Sequence, residues 1–312
     1  MITLSQWGLS WPRIQRLLTA ALLVFGLVQL VGLLRELDWR GMAEAIVSYP
    51  AAPLWLAAAL TIASYAVYAS YDLLGCRHVG LSLGRGRVFV IGLICHAYGL
   101  SLGPAAAAFR FRLYMRLGVG AKQTAAVWLV TIATNWLGFL VLAGVAFAAR
   151  VVTPPPDWPV AAGALQAVGV ALLVLAGLCF ALCASTRRRT WQVRGRTLRL
   201  PSLRFAVLQC VLSLANWLLI TAILFALLQG AVDFGPLLGA LMASALALAV
   251  VDVPGGLGVT EVVFLSLLGG EVASAQLLAA LVAYRGICFV VPLLVAMPAY
   301  LAIEWRGRSV AS

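Results

Sequence analysis

Residues 250–261 read VVDVPGGLGVTE, and the fold turns on what this stretch is doing. It lies in the most apolar third of the chain, yet it holds a proline, three glycines and two carboxylates. Proline has no backbone N–H and glycine loosens the backbone, so a helix entering here breaks. Backbone left unpaired at membrane depth is tolerated only inside protein or beside a water-filled cavity. The stretch therefore marks either a soluble turn or a deliberate interruption inside a bilayer.

Composition decides between these. The chain has 312 residues, 63% of them hydrophobic and 10% charged, with a mean hydropathy of +1.03. About 20 apolar residues cross the ~30 Å hydrocarbon layer, and such runs recur along the chain. The sequence is that of an all-α polytopic membrane protein forming a single integral domain over 1–312. Apolar segments fall at 17–34, 52–72, 88–117 (interrupted), 123–149, 160–184, 205–230, 237–269 (interrupted) and 275–303. The first follows Arg13 and Arg16 and is too long for a signal-peptide core, so it reads as an uncleaved helix.

The net charge of +12 does not point to nucleic acid. The largest basic cluster lies in the polar loop 185–204, and short cytoplasmic loops of membrane proteins retain Lys and Arg. Contact with anionic headgroups is the next reading. The cysteines at 76, 95, 179, 183, 210 and 288 sit in apolar contexts and make no metal-type spacing with His78 or His96. No metal site and no cofactor are expected, and no nucleotide-binding motif is present.

Loop charge gives the expected topology. Arg13 and Arg16 place the N-terminus in the cytoplasm; Arg77, Arg85 and Arg87 return to that side. A simple crossing by 88–109 would put Arg110, Arg112, Arg116 and Lys122 outside. A re-entrant hairpin over 88–117, with its tip at Gly103 and Pro104, keeps them inside. For "EWRGR" to end in the cytoplasm, 237–269 must be a second hairpin entering from the opposite face. Its tip carries Pro254, Gly255, Gly256 and Gly258. Arms of ~14 residues would reach ~21 Å, past the midplane without crossing. The expectation is thus about six full transmembrane helices and two opposed re-entrant hairpins. Broken elements of this kind flank substrate sites in transporters.

An ionisable side chain at the bilayer centre costs roughly 2.5–3.5 kcal/mol and is a functional candidate by default. Those here are Asp72, Arg110, Arg112, Asp252, Glu261 and Arg285. Glu261 and Arg285 are expected at one depth, facing each other, as a packing pair, a working pair or both. Asp252 precedes the second tip. Asp72 ends its apolar segment and also suits an interface. Arg110 and Arg112 leave a Gly-Pro turn, and guanidinium forks suit phosphate oxygens; the alternative is that they are cytoplasmic anchors.

Four stretches then stand in one order: SYDLLGCRHVG at 70–80, GPAAAAFRFRLYMRLG at 103–118, DVPGGLGVTEVVF at 252–264 and LVAYRGICFVVPLL at 281–294. In these, over roughly residues 15–305, the chain resembles the lysylphosphatidylglycerol synthase transmembrane-region family. That family includes the flippase half of multiple peptide resistance factors and stand-alone membrane proteins. The resemblance implies translocation of a phospholipid, an aminoacylated phosphatidylglycerol or a related lipid, in a bacterial inner membrane, with both termini cytoplasmic. It maps the family's elements onto Tyr71 and Asp72, Arg110 and Arg112, Pro254 to Gly256, Glu261, and Tyr284 and Arg285. The first tip departs from the family's paired glycines, reading Gly103-Pro104-Ala105. No stretch matches a soluble synthase half, so the chain is not expected to make lysyl lipid itself. A separately encoded lipid synthase or transferase is then a candidate partner. The alternative function is a non-transporting scaffold for such an enzyme. An intramembrane lipid-modifying enzyme comes last, since no nucleophile or metal cluster stands out.

Overall fold

The computed structural model describes residues 49–154, 161–185, 190–193, 196–199, 201–250 and 258–306. The first apolar segment, 17–34, lies outside these residues. Helix α1 spans Ala51–Val79, α2 Arg85–Leu102 and α3 Ala107–Arg116, with a 3₁₀ turn at Gly103–Ala106 between the last two. Helices α4 (Ala121–Ala148), α5 (Ala162–Ser185), α6 (Leu203–Leu227), α7 (Phe234–Val250), α8 (Val259–Leu268) and α9 (Ser274–Arg285) follow. A π-turn at Gly286–Val290 joins α9 to α10 (Val291–Arg306).

Five of these stretches are long and apolar enough to span a bilayer: α1, α4, α5, α6 and the continuous run Ser274–Trp305. Their outer surfaces are apolar. Trp55 is 75% exposed and Ile62 72%. In α5 only 11% of the most apolar window is buried. Water would penalise every such residue, whereas hydrocarbon does not.

The loop 185–204 is not wholly irregular. Strands β1 (Thr190–Val193) and β2 (Arg196–Arg199) pair antiparallel, with Thr190 opposite Arg199 and Val193 opposite Arg196. Two runs of four residues around a two-residue connection fit a hairpin; the charge count hides this because it ignores spacing.

Contacts fix the direction of each helix. Gly92 of α2 lies against Ala69 and His96 stacks on Tyr68, so α2 runs antiparallel to α1. Further along, Arg110 of α3 meets Asp72 and Tyr114 meets Cys76, so α3 runs parallel to α1. The chain has turned back between them. Thr131 of α4 bonds Asp72 and Val127 packs on Gly75, so α4 runs antiparallel to α1 once more. A second reversal joins α7 to α8, which lie side by side through Ser244 and Thr260; its tip at 251–257 lies outside the described residues. Helix α7 begins against Val151 and Val152, just past the end of α4, whereas α3 ends beside the opposite end of the bundle. Residues 237–241, 264–268 and 277–283 join the N-terminal half of α1 in one apolar core. Residues of α2 and α3 join α10 and the C-terminal half of α1 in another.

The arms are unequal: 18 and 10 residues in the first reversal, 17 and 10 in the second. The even 13–14-residue arms expected from sequence miss this, because α2 and α7 start at Arg85 and Phe234, before the apolar segments at 88 and 237, and each later arm starts several residues past the break. At the first break Gly103 has φ +56°, and at the second Gly258 has φ +78°. L-residues with a Cβ avoid that region, so glycine sets where each turn is made.

Candidate functional site

The innermost charges belong to α1 and α3. Helix α1 does not stop at residue 72 but continues to Val79. Asp72 therefore sits seven residues, about 10 Å, inside its helix end. It is 1% exposed and Arg110 is 4% exposed. The Arg110 guanidinium Nη1 donates to Asp72 Oδ1, which also accepts the Thr131 hydroxyl at 2.9 Å. Asp72 Oδ2 is buried and has no hydrogen-bond partner. The Asp72 side chain is thus enclosed by protein.

Two close approaches put Asp72 there. A Cβ on Gly92 would fall 3.0 Å from both Cα and carbonyl oxygen of Ala69, and one on Gly75 would fall 2.9 Å from Val127 Cγ1. Small residues let membrane helices come together in this way, and polar side chains then bridge them. Ser64 donates to Asn216 at 2.8 Å, Gln209 to Thr134 at 2.7 Å and Ser213 to the Asn135 carbonyl at 2.8 Å. Tyr71, fully buried, reaches the Leu212 carbonyl at 3.4 Å, so it ties α1 to α6 and takes no part in the Asp72 cluster. On the other side of Asp72, His96 lies between Tyr68, stacked at 3.6 Å, and Tyr65, edge-on at 4.6 Å.

Arg110 and Arg112 do not converge. Two residues apart on a helix they point to different sides. Arg112 Nε donates to Glu304 Oε1 at 3.1 Å, and Arg116 Nη2 donates to Glu304 Oε2 at 2.6 Å. Arg116 Nη1 also caps the Ile303 carbonyl at 3.0 Å. This cluster fastens the end of α3 to the end of α10. Glu304 is 2% exposed, and sequence reading missed it because it sits in the terminal "EWR", which looks interfacial.

The expected facing of Glu261 and Arg285 is present. Arg285 Nε donates to Glu261 Oε1 at 2.9 Å, and Nη2 lies 2.7 Å from the same oxygen. Glu261 Oε2 accepts the Gly258 N–H at 2.8 Å, the reach-back half of a capping box at the start of α8. Tyr284 instead turns its ring to Phe289, 5.7 Å away. Asp252, Pro254, Gly255 and Gly256 lie outside the described residues.

The two reversals thus share a plan with the signs exchanged. In each, a 10-residue arm follows a glycine of positive φ and carries a charge in its first turn or so. On α3 that charge is Arg110, held by an acid of α1; on α8 it is Glu261, held by Arg285 of α9. An apolar cavity of about 540 Å³ opens between α1, α2 and the run 287–299, with Tyr65, Ile94, Ala97 and Val295 among its walls; neither Asp72 nor Arg110 lines it. Thr61 and Tyr65 brace its edge: the Tyr65 hydroxyl donates to the Cys288 carbonyl in the π-turn at 2.8 Å.

A sequence model describing the lysylphosphatidylglycerol synthase transmembrane region matches residues 16–296. The chain belongs to that family. Among relatives, it is 35% identical to inner membrane protein YbhN of Escherichia coli (strain K12), covering 96% of this chain and 95% of that one. It is 28% identical to the uncharacterized protein slr0712 of Synechocystis sp. (strain ATCC 27184 / PCC 6803 / Kazusa), covering 91% of each. The family match takes in both chain reversals and the ion pairs at Asp72 and Glu261.

Proposed function

We propose that this chain translocates a phospholipid between the leaflets of a bacterial inner membrane, as a multi-pass protein with both termini cytoplasmic and without bond-making chemistry of its own. In this reading the two reversals are re-entrant hairpins entering from opposite faces. The observation that carries it is the buried Asp72–Arg110 pair, with one carboxylate oxygen unsatisfied. A buried polar atom without a partner costs about 1–3 kcal/mol, which an arriving donor would recover.

A headgroup carrying both phosphate and amine matches the pair. Arg110 would exchange Asp72 for the phosphate, and Asp72 would take the ammonium through Oδ2. Both protein charges stay compensated throughout, so the exchange avoids isolating a charge in low dielectric. An aminoacylated phosphatidylglycerol or a related zwitterionic lipid has this pattern. The acyl chains would remain among apolar side chains such as Ile94 and Val295. Arg112 is held by Glu304 and would not share the phosphate.

The test is exchange of fluorescent phospholipids in proteoliposomes, scored by a membrane-impermeant quencher, for the parent chain and for Asp72→Asn and Arg110→Ala. Fast exchange lost in variants that still fold supports the proposal. No exchange above empty vesicles across several headgroups sinks it. A second reading, a scaffold for a separately encoded lipid synthase, is favoured by the Arg112–Arg116–Glu304 cluster, in which both arginines are held within the protein by one carboxylate. Co-purification of such an enzyme, with no exchange activity, would establish it.

A further inference from the structure

A second cavity, which neither Asp72 nor Arg110 lines, carries two arginines. It measures about 690 Å³ and opens where α1 ends, the 80–84 turn begins, α2 starts and Leu212 of α6 approaches. Its lining mixes apolar and basic side chains. Leu73, Leu74, Leu81, Leu83, Val88 and Leu212 form an apolar side, while Arg77 and Arg85 stand exposed on it with Ser82.

Neither arginine has an ion-pair partner among the described residues. The described acids offer none. Asp72, Glu261 and Glu304 are each engaged by other arginines. Asp233 and Glu271 belong to the loops before α7 and after α8, against the other core. The first turn of α2 adds donors: its N-cap is Gly84, which has no side chain to cap the free N–H groups. The two arginines lie near helix ends, Arg77 two residues before the end of α1 and Arg85 at the start of α2, whereas Leu73 and Leu212 lie deeper along their helices.

We infer that this cleft binds an anionic phospholipid, with Arg77 and Arg85 holding the phosphate and the leucine-rich wall holding an acyl chain. Basic pockets between membrane helices take anionic headgroups in this manner, and guanidinium forks fit phosphate oxygens. Neither Asp72 nor Arg110 lines the site, and the assignment stands whether or not the chain translocates lipid.

The experiment uses the full-length chain, delipidated in neutral detergent. Dioleoylphosphatidylglycerol, dioleoylphosphatidylcholine, glycerol phosphate and inorganic phosphate are each titrated against the apparent melting midpoint. Phosphatidylglycerol is expected to raise the midpoint saturably and phosphatidylcholine much less. Arg77→Ala/Arg85→Ala should weaken the apparent affinity by roughly tenfold or more, the loss expected of charge-assisted contacts. Arg77→Lys/Arg85→Lys should retain part of it. Arg87→Ala, an exposed arginine that does not line the cleft, should leave it unchanged. Equal effects of the two lipids, an undiminished response in the double alanine variant, or equal loss in Arg87→Ala would each overturn the assignment. Stabilisation by inorganic phosphate or glycerol phosphate to the same extent would replace the lipid with a free anion.

Discussion

Removing the carboxylate charge at residue 72 is the most demanding test of the buried pair. Asp72→Asn leaves Arg110, 4% exposed, without its counter-charge. Breaking one side of a buried ion pair costs about 3–5 kcal/mol, whereas replacing both partners by neutral groups of similar volume is often neutral or stabilising. At about 2.1 cal/mol/K of unfolding entropy per residue, a 312-residue chain shifts by about 1.5 °C per kcal/mol, so the single variant should melt about 5–8 °C lower. Arg110→Met should fall by a comparable amount. The double variant Asp72→Asn/Arg110→Met should recover most of the loss, giving a coupling that far exceeds the few tenths of a kcal/mol seen for independent sites. The assay is the apparent midpoint of detergent-solubilised protein at one scan rate, since unfolding of such chains is irreversible. Additive losses would refute the reasoning, because they would mean that the two charges do not compensate each other. Lipid exchange measured on the recovered double variant then separates stability from transport: a stable but inactive protein places the pair in the translocation path.

Three further predictions concern the supports of this site. Glu261→Ala should cost about 1 kcal/mol more than Glu261→Gln, because glutamine keeps the reach-back to the Gly258 N–H; equal midpoints for the two would remove the cap from the account. Gly92→Ala should destabilise by about 1–3 kcal/mol, since its methyl meets backbone atoms of Ala69 that cannot turn aside, and a melting curve matching the parent would contradict the close approach. Glu304→Ala should lower the midpoint further than either Arg112→Ala or Arg116→Ala, because it releases both arginines from α10; the reverse order would show that the arginines act elsewhere.

Much of this was legible in the sequence, for reasons that differ by feature. Apolar length announced the long helices, since bilayer thickness fixes it. The breaks were legible because Gly103 and Gly258 occupy backbone conformations that L-residues resist. The Glu261–Arg285 pairing followed from matching depths along two helices that meet at one end. Arg110 and Arg112 misled because spacing in sequence says which side of α3 each leaves, not what stands there: Asp72 on one side, Glu304 on the other. The enclosure of Asp72 was hidden for a similar reason. Hydropathy falls at "DLLGCRHV", yet the helix runs on to Val79 because α2 and α4 cover it. The π-turn at 286–290 left no pattern that apolar periodicity could detect.

The exchanged signs of the two reversals have an electrical consequence. If α3 moves while Asp72 stays, Arg110 carries one positive charge through the transmembrane field. If α8 moves while Arg285 stays, Glu261 carries one negative charge. Each elementary charge taken across the whole field exchanges about 2.3 kcal/mol per 100 mV. Motion of an arm together with its partner helix carries almost none. Lipid exchange measured under an imposed potassium-diffusion potential would therefore report which parts move: rates indifferent to voltage mean that each pair travels as a unit, and rates that change with its sign mean that a pair comes apart on the way.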